Sequence, residues 1–118
     1  MDNVYCGAIF VENDDFKLEA AKFIVRGDEV AFEFEGKDEW GRFEVQGVAK
    51  LTEHGFFMAP RIDLVYSGYP EKEQSSIKFY EIDNKTDRRK CWVKGVWIQD
   101  GDEFPFSGAL DSIKNAEL

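Results

Sequence analysis

Between positions 42 and 64, apolar and polar residues alternate with a period of two. Phe43, Val45, Gly47, Ala49 and Leu51 take every second place, with Glu44, Gln46, Val48 and Lys50 between them. This is the pattern of a strand with one face buried and the other in water. A Glu53-His54-Gly55 turn follows, and the alternation resumes with Phe56, Met58, Ile62 and Leu64 on the inner face. The unit recurs on both sides. Gly7, Gly47 and Gly95 each fall in mid-strand, nine residues before Phe16, Phe56 and Phe104, and Leu18, Met58 and Phe106 lie two places further on. The chain reads as a repeated β-hairpin.

The flanking segments extend the pattern. Residues 4–11 predict a first strand, closed by Asn13-Asp14-Asp15. Residues 16–25 predict a second, whose apolar positions pass from Phe16, Leu18 and Ala20 to Phe23 and Val25, a slip that a β-bulge near Ala20-Ala21 would produce. A short helix over residues 15–23 is the alternative, because Leu, Glu, Ala and Lys favour helix. After a turn at Arg26-Gly27-Asp28, residues 30–35 make a third strand and residues 36–41 a loop carrying Lys37, Asp38, Glu39 and Trp40. Residues 67–76 form the longest loop, with Gly68, Tyr69, Pro70, Glu71, Lys72 and Glu73. Strands over 77–83, 91–99 and 103–110 complete the set, joined by a basic turn at 84–90 and by Asp100-Gly101, a strong two-residue hairpin signal. Residues 111–118 read as a tail or a short helical turn.

Eight strands joined in succession predict a single all-β domain over residues 1–118, an antiparallel up-and-down meander closing into a small barrel. Closure removes the exposed edges that an open sheet would leave. A highly curved open sheet or a sandwich is the alternative. An eight-stranded barrel is either filled by its own side chains or holds one small ligand.

Composition narrows the function classes. With 43% hydrophobic residues and eleven phenylalanines, the chain can bury a core and is not disordered. A net charge of −9 repels phosphate backbones and anionic lipid. Nucleic acid and membrane surfaces are therefore not expected partners; a basic protein fits the sign. The chain opens Met1-Asp2-Asn3 without a basic segment leading into an apolar run, and a cytoplasmic protein is the expectation. Cys6 and Cys91 stand apart and read as small buried hydrophobes in a reducing compartment, with a disulfide between them as the alternative.

Named chemistry is sparse. His54 is the single histidine and has no Ser, Cys or second His at a suggestive spacing. It reads as a surface turn residue and gives poor support for a nucleophilic triad or a His-rich zinc site. Phosphate-binding and dinucleotide loops are missing as well. No cofactor, resident metal or catalytic activity is expected, although Asp14-Asp15 and Asp100-Gly101-Asp102-Glu103 cluster oxygens of the kind Ca²⁺ uses. Two binding readings remain. In a meander alternate turns share one end. One end thus collects Glu12, Asp14, Asp15, Glu35, Asp38, Glu39, Glu71, Glu73, Asp100, Asp102 and Glu103, against Lys37 and Lys72 alone. At the other, Lys85, Arg88, Arg89 and Lys90 offset the acids. The acidic rim, with Trp40 and Tyr69 as aromatic anchors, is the candidate site for a basic protein partner. The plain alternative is that loops are charged because they are solvated. In the second reading Tyr5, Phe32, Phe34, Val45, Phe56, Met58, Leu64, Val93, Trp97, Phe104 and Phe106 line a cavity for a small hydrophobic ligand, where otherwise they would pack as a solid core.

Two resemblances bear on these readings. Gly95-Val96-Trp97, followed by Gly101, Phe104 and Gly108, is similar to the G-x-W hairpin of calycins, the avidin, lipocalin and fatty-acid-binding group. It implies an up-and-down barrel, although here the motif falls in the seventh strand and not the first, and avidin's polar biotin-binding residues have no counterparts. In general character, small, acidic and mostly β, the chain also resembles bacterial immunity proteins that block toxin nucleases. That likeness implies an inhibitor whose carboxylates stand in for phosphate in a cationic cleft.

Overall fold

The alternating pattern becomes eight strands in the computed structural model, which describes residues 3–12, 17–68 and 72–113, with only the backbone of Ala20 and Lys72. In chain order they are β1 (Asn3–Val11), β2 (Lys17–Arg26), β3 (Glu29–Asp38), β4 (Gly41–Leu51), β5 (Phe57–Tyr66), β6 (Lys72–Asp83), β7 (Lys90–Gln99) and β8 (Asp102–Ser112). Each pairs antiparallel with the next, and β8 returns to β1 through Tyr5↔Ser112, Ile9↔Gly108 and Phe10↔Ser107. The sheet is a closed barrel with no free edge. The Asp100-Gly101 turn has positive φ at both residues, 54° and 82°, the backbone that a two-residue hairpin needs to match the strand twist.

Bulges decide which side chains face inward. In β2 the pairing with β3 slips between Leu18 and Ala20, so Leu18, Ala21 and Phe23 are all buried. The segment is a strand and not the alternative helix, because hydrogen-bonded partners on both sides outweigh helix propensity. A second slip lies between Ala59 and Ile62, at Pro60-Arg61. Proline cannot donate to a ladder and is tolerated in a sheet at such a bulge. This bulge corrects the expected face of β5. Ala59, Ile62, Leu64 and Tyr66 point inward, Phe57 packs against the core, and Phe56 and Met58 sit half-buried outside it. The hairpin repeat therefore breaks at Phe56 and Met58, and Leu51 too is exposed.

Two expected loops are shorter than the sequence suggests. β3 and β4 stay paired as far as Asp38↔Gly41, leaving only Glu39 and Trp40 in the turn. Residues 72–76 belong to β6, where Leu64↔Glu73 and Val65↔Lys72 pair. Charged residues at strand ends hid both extensions, since they alternate with neighbours that carry little apolar bulk.

Aromatic rings fill the interior. Phe23 of β2 meets Phe79 of β6 edge-on at 5.4 Å, Phe32 of β3 meets Phe79 at 5.6 Å, and Phe34 and Phe43 both lie 6.3 Å from Trp97 of β7. Edge-on contacts of this kind are favourable for aromatic quadrupoles. Inward-facing glycines make the room. A Cβ at Gly95 would lie 2.1 Å from the Lys78 carbonyl oxygen and 2.6 Å from the Phe106 ring, and one at Gly47 would lie 2.7 Å from the Phe32 ring. Cys91 is buried and Cys6 half-buried, and both are free thiols. Burial pushes the Cys91 thiol up to about 12.

Candidate functional site: the acidic rim

One end of the barrel is formed by the β3–β4 and β7–β8 turns, the start of β6 and the residues beyond β1. Strand alternation ends there, so side chains at these positions fan into solvent. Going round the mouth in strand order come Glu73 of β6, Asp100 and Asp102 of the β7–β8 turn, Glu103 and then Glu12, an acidic arc. Glu12 and Glu103 border one outer depression with Tyr80 and Pro105, and the Glu12 amide donates to the Pro105 carbonyl at 2.9 Å. Asp38, Glu39 and Trp40 stand across the mouth on the β3–β4 turn.

Trp40 is the most prominent feature of this end. Its side chain is 68% exposed, an expensive position for an indole. The turn that presents it is held: the Trp40 amide donates to Asp38 Oδ1 at 2.8 Å, and the Tyr66 hydroxyl donates to Asp38 Oδ2. Burial, that hydrogen bond and the charges of Asp38, Glu73 and Glu39 all raise the Tyr66 pKa. Carboxylates from two sides of the mouth thus act on one buried phenol.

The rim differs from the expected set in three ways. Glu35 lies on the outer wall of β3 opposite Glu44, below the rim. Asp14, Asp15, Tyr69 and Glu71 fall outside the described residues. Lys17, Lys37 and Arg42 form a basic row across β2, β3 and β4 at the same end, through Lys17↔Lys37 and Lys37↔Arg42. Turn residues alone do not reveal this row, because Lys17 and Arg42 are strand-initial positions; the register brings them together. Arg42 is engaged by Glu19 at 2.8 Å. Among the described residues the acidic surface is therefore an arc and a turn, with a basic row on β2–β4 beside the turn.

Beneath the rim, polar side chains are tied to one another. Gln99 Oε1 accepts hydrogen bonds from Trp97 Nε1 at 3.2 Å and Ser75 Oγ at 3.1 Å, and Tyr66 and Asp38 are joined on the β3–β5 side. The residues expected to line a ligand cavity behave differently from one another. Phe32, Phe34, Trp97 and Phe106 contact other rings in the core, Phe104 packs partly buried against it, and Phe56 and Met58 are not inside at all.

Sequence reasoning missed an aromatic cluster on the outer wall. Phe56 stacks on His54 at 6.2 Å and meets Tyr80 edge-on at 6.0 Å, with Lys78 Nζ 5.3 Å over its ring. Phe10, on the far side of β8, is 76% exposed. The signal that could have found the cluster was Pro60, whose bulge moves Phe56 outward. His54 is thus occupied in this cluster. Among the described residues, no three His, Cys, Asp or Glu side chains converge to hold a metal ion. No family model matches the chain, and no curated protein matches it.

Proposed function

We propose that this protein is a non-enzymatic binding protein whose acidic rim docks on, and occludes, a basic protein surface. The observation that carries the reading is Trp40: a large aromatic side chain, exposed, held on a fixed turn and flanked by carboxylates. Aromatic residues of this kind dominate interface energetics when they enter a pocket on a partner. A turn already held by Asp38 and Tyr66 loses little freedom on docking, so less of the interaction is offset by ordering. The arc from Glu73 to Glu12 supplies the complementary field, which speeds encounter and selects for a cationic partner. A cationic nuclease fits this chemistry, with the rim carboxylates in the place of substrate phosphates. The aromatic core of the barrel weighs against a carrier of hydrophobic ligands.

The test is charge reversal. Glu39, Asp102 and Glu103 are exposed and form no side-chain hydrogen bond or salt bridge with the described residues, so changing all three to Lys should leave the barrel folded. Partner affinity should fall with that variant and with added salt, because exposed charges are screened within about 10 Å at 0.1 M salt. Binding that is indifferent to both would overturn the reading.

A further inference from the structure

The end of the barrel opposite the acidic rim carries the reverse chemistry. A half-open depression of about 570 Å³ lies there, lined by Asn3, Tyr5, Asn84, Lys85, Arg88 and Ser112. All six side chains can donate a hydrogen bond, and none is a carboxylate. The described acids nearby are held in other contacts. Asp83 accepts from the Lys85 amide at 3.0 Å, the Thr86 amide at 3.1 Å and the Thr86 hydroxyl at 2.7 Å. Asp87 accepts from the Arg89 amide at 2.9 Å and pairs with its guanidinium. Asp111 pairs with Lys90, and Glu81 with Lys94 at 4.0 Å. These hydrogen bonds hold the Asp83 and Asp87 carboxyls below the usual range.

Lys85 and Arg88, by contrast, form no salt bridge with the described residues. Tyr5 marks the floor. The residue is 3% exposed and borders the depression, and its hydroxyl makes no hydrogen bond to a described residue. A buried tyrosine, two carboxamides, and two cations that form no salt bridge among the described residues border one space. Its volume falls within the ~300–1,000 Å³ of small-molecule sites.

We propose that this depression binds a small phosphorylated ligand, with the phosphate group seated between Lys85 and Arg88. Two cations match a dianion, and the guanidinium fork can hold two phosphate oxygens at once. The carboxamides of Asn3 and Asn84 and the Tyr5 hydroxyl supply more donors than the two oxygens of a carboxylate would use. Only two cations line the depression, which suits a single phosphate group and falls far short of a track along a nucleic-acid backbone.

The experiment is an amide NMR titration of the full chain with inorganic phosphate at constant ionic strength, with chloride as the control. Saturable shifts confined to Asn3, Tyr5, Asn84, Lys85, Arg88 and Ser112 are expected. Arg88→Ala should weaken binding by on the order of tenfold, the loss of a charge-assisted hydrogen bond. Arg61→Ala, an exposed cation on β5, should leave binding unchanged. Lys85→Ala, at an exposed loop position, provides a second variant with the same expected loss. Shifts that fail to saturate, that chloride reproduces, or that survive both variants at full affinity would overturn the proposal.

Discussion

The Tyr66 hydroxyl donates a 2.5 Å hydrogen bond to Asp38 Oδ2, tying the end of β5 to the turn that carries Trp40. The two residues are 28 positions apart in the chain, and the bond bridges the strand between them at the rim. Asp38 uses its other oxygen to accept from the Trp40 amide. A buried phenol therefore fixes an exposed indole through one carboxylate.

Tyr66→Phe keeps the ring packing against Phe43 and removes only this bond. The expected loss is about 1.5–3 kcal/mol, the net worth of a hydrogen bond to a charged group. Chemical denaturation reads that loss. Time-resolved anisotropy of the Trp40 indole, in a background with Phe at both Trp92 and Trp97, should show faster local motion. An unchanged anisotropy decay would mean that the turn is held by other contacts.

Trp97→Ala should be among the most damaging single changes in the barrel. The indole is fully buried and is shared by Phe34 and Phe43 from two other strands. Truncating an aromatic residue in a close-packed core costs about 3–5 kcal/mol. Urea unfolding measures the cost. A loss under 1 kcal/mol would mean that the interior is loosely filled, and would reopen the carrier reading.

Alkaline pH should unfold the protein in part through Cys91. Burial raises the thiol from 9.0 in the unfolded chain to about 12 in the barrel. Above pH 9 the unfolded chain releases this proton while the folded chain keeps it. Stability is therefore fully present below pH 9 and declines as pH rises towards 12. Tyr66, also raised, adds to the same limb from about pH 10 upward. Cys91→Ala, after allowance for its smaller volume, should flatten the fall in Tm between pH 9 and 12. A slope identical to the wild type would show that the thiol takes no part.

The barrel was legible in the sequence because strand alternation, turn chemistry and mid-strand glycines agree with one another. Asp100-Gly101 announces its hairpin, and the slip between Leu18 and Phe23 announces a bulge. Pro60 was the weak point. Its bulge turns Phe56 and Met58 to the outer wall, and a regular alternation cannot show where parity changes until a proline is read as a pairing defect. At the rim, turn residues show the acids, but the row of Lys17, Lys37 and Arg42 exists only through strand register. The donor-rich depression is less legible still. Asn3 and Ser112 come from the two ends of the meander, and closure of β1 on β8 brings them beside the β6–β7 loop.

Capture from the source lysate with four immobilised forms locates the interface. The forms are the wild type, the triple variant with Lys at 39, 102 and 103, Trp40→Ala, and an outer-wall variant combining Phe10→Ser with Tyr80→Ser. The account predicts a basic protein that the wild type and the wall variant retain at low salt and release at high salt. Trp40→Ala and the triple reversal should lose it. Retention that ignores Trp40 and the rim charges and disappears only with the wall variant would contradict the account and move the interface to the side of the barrel.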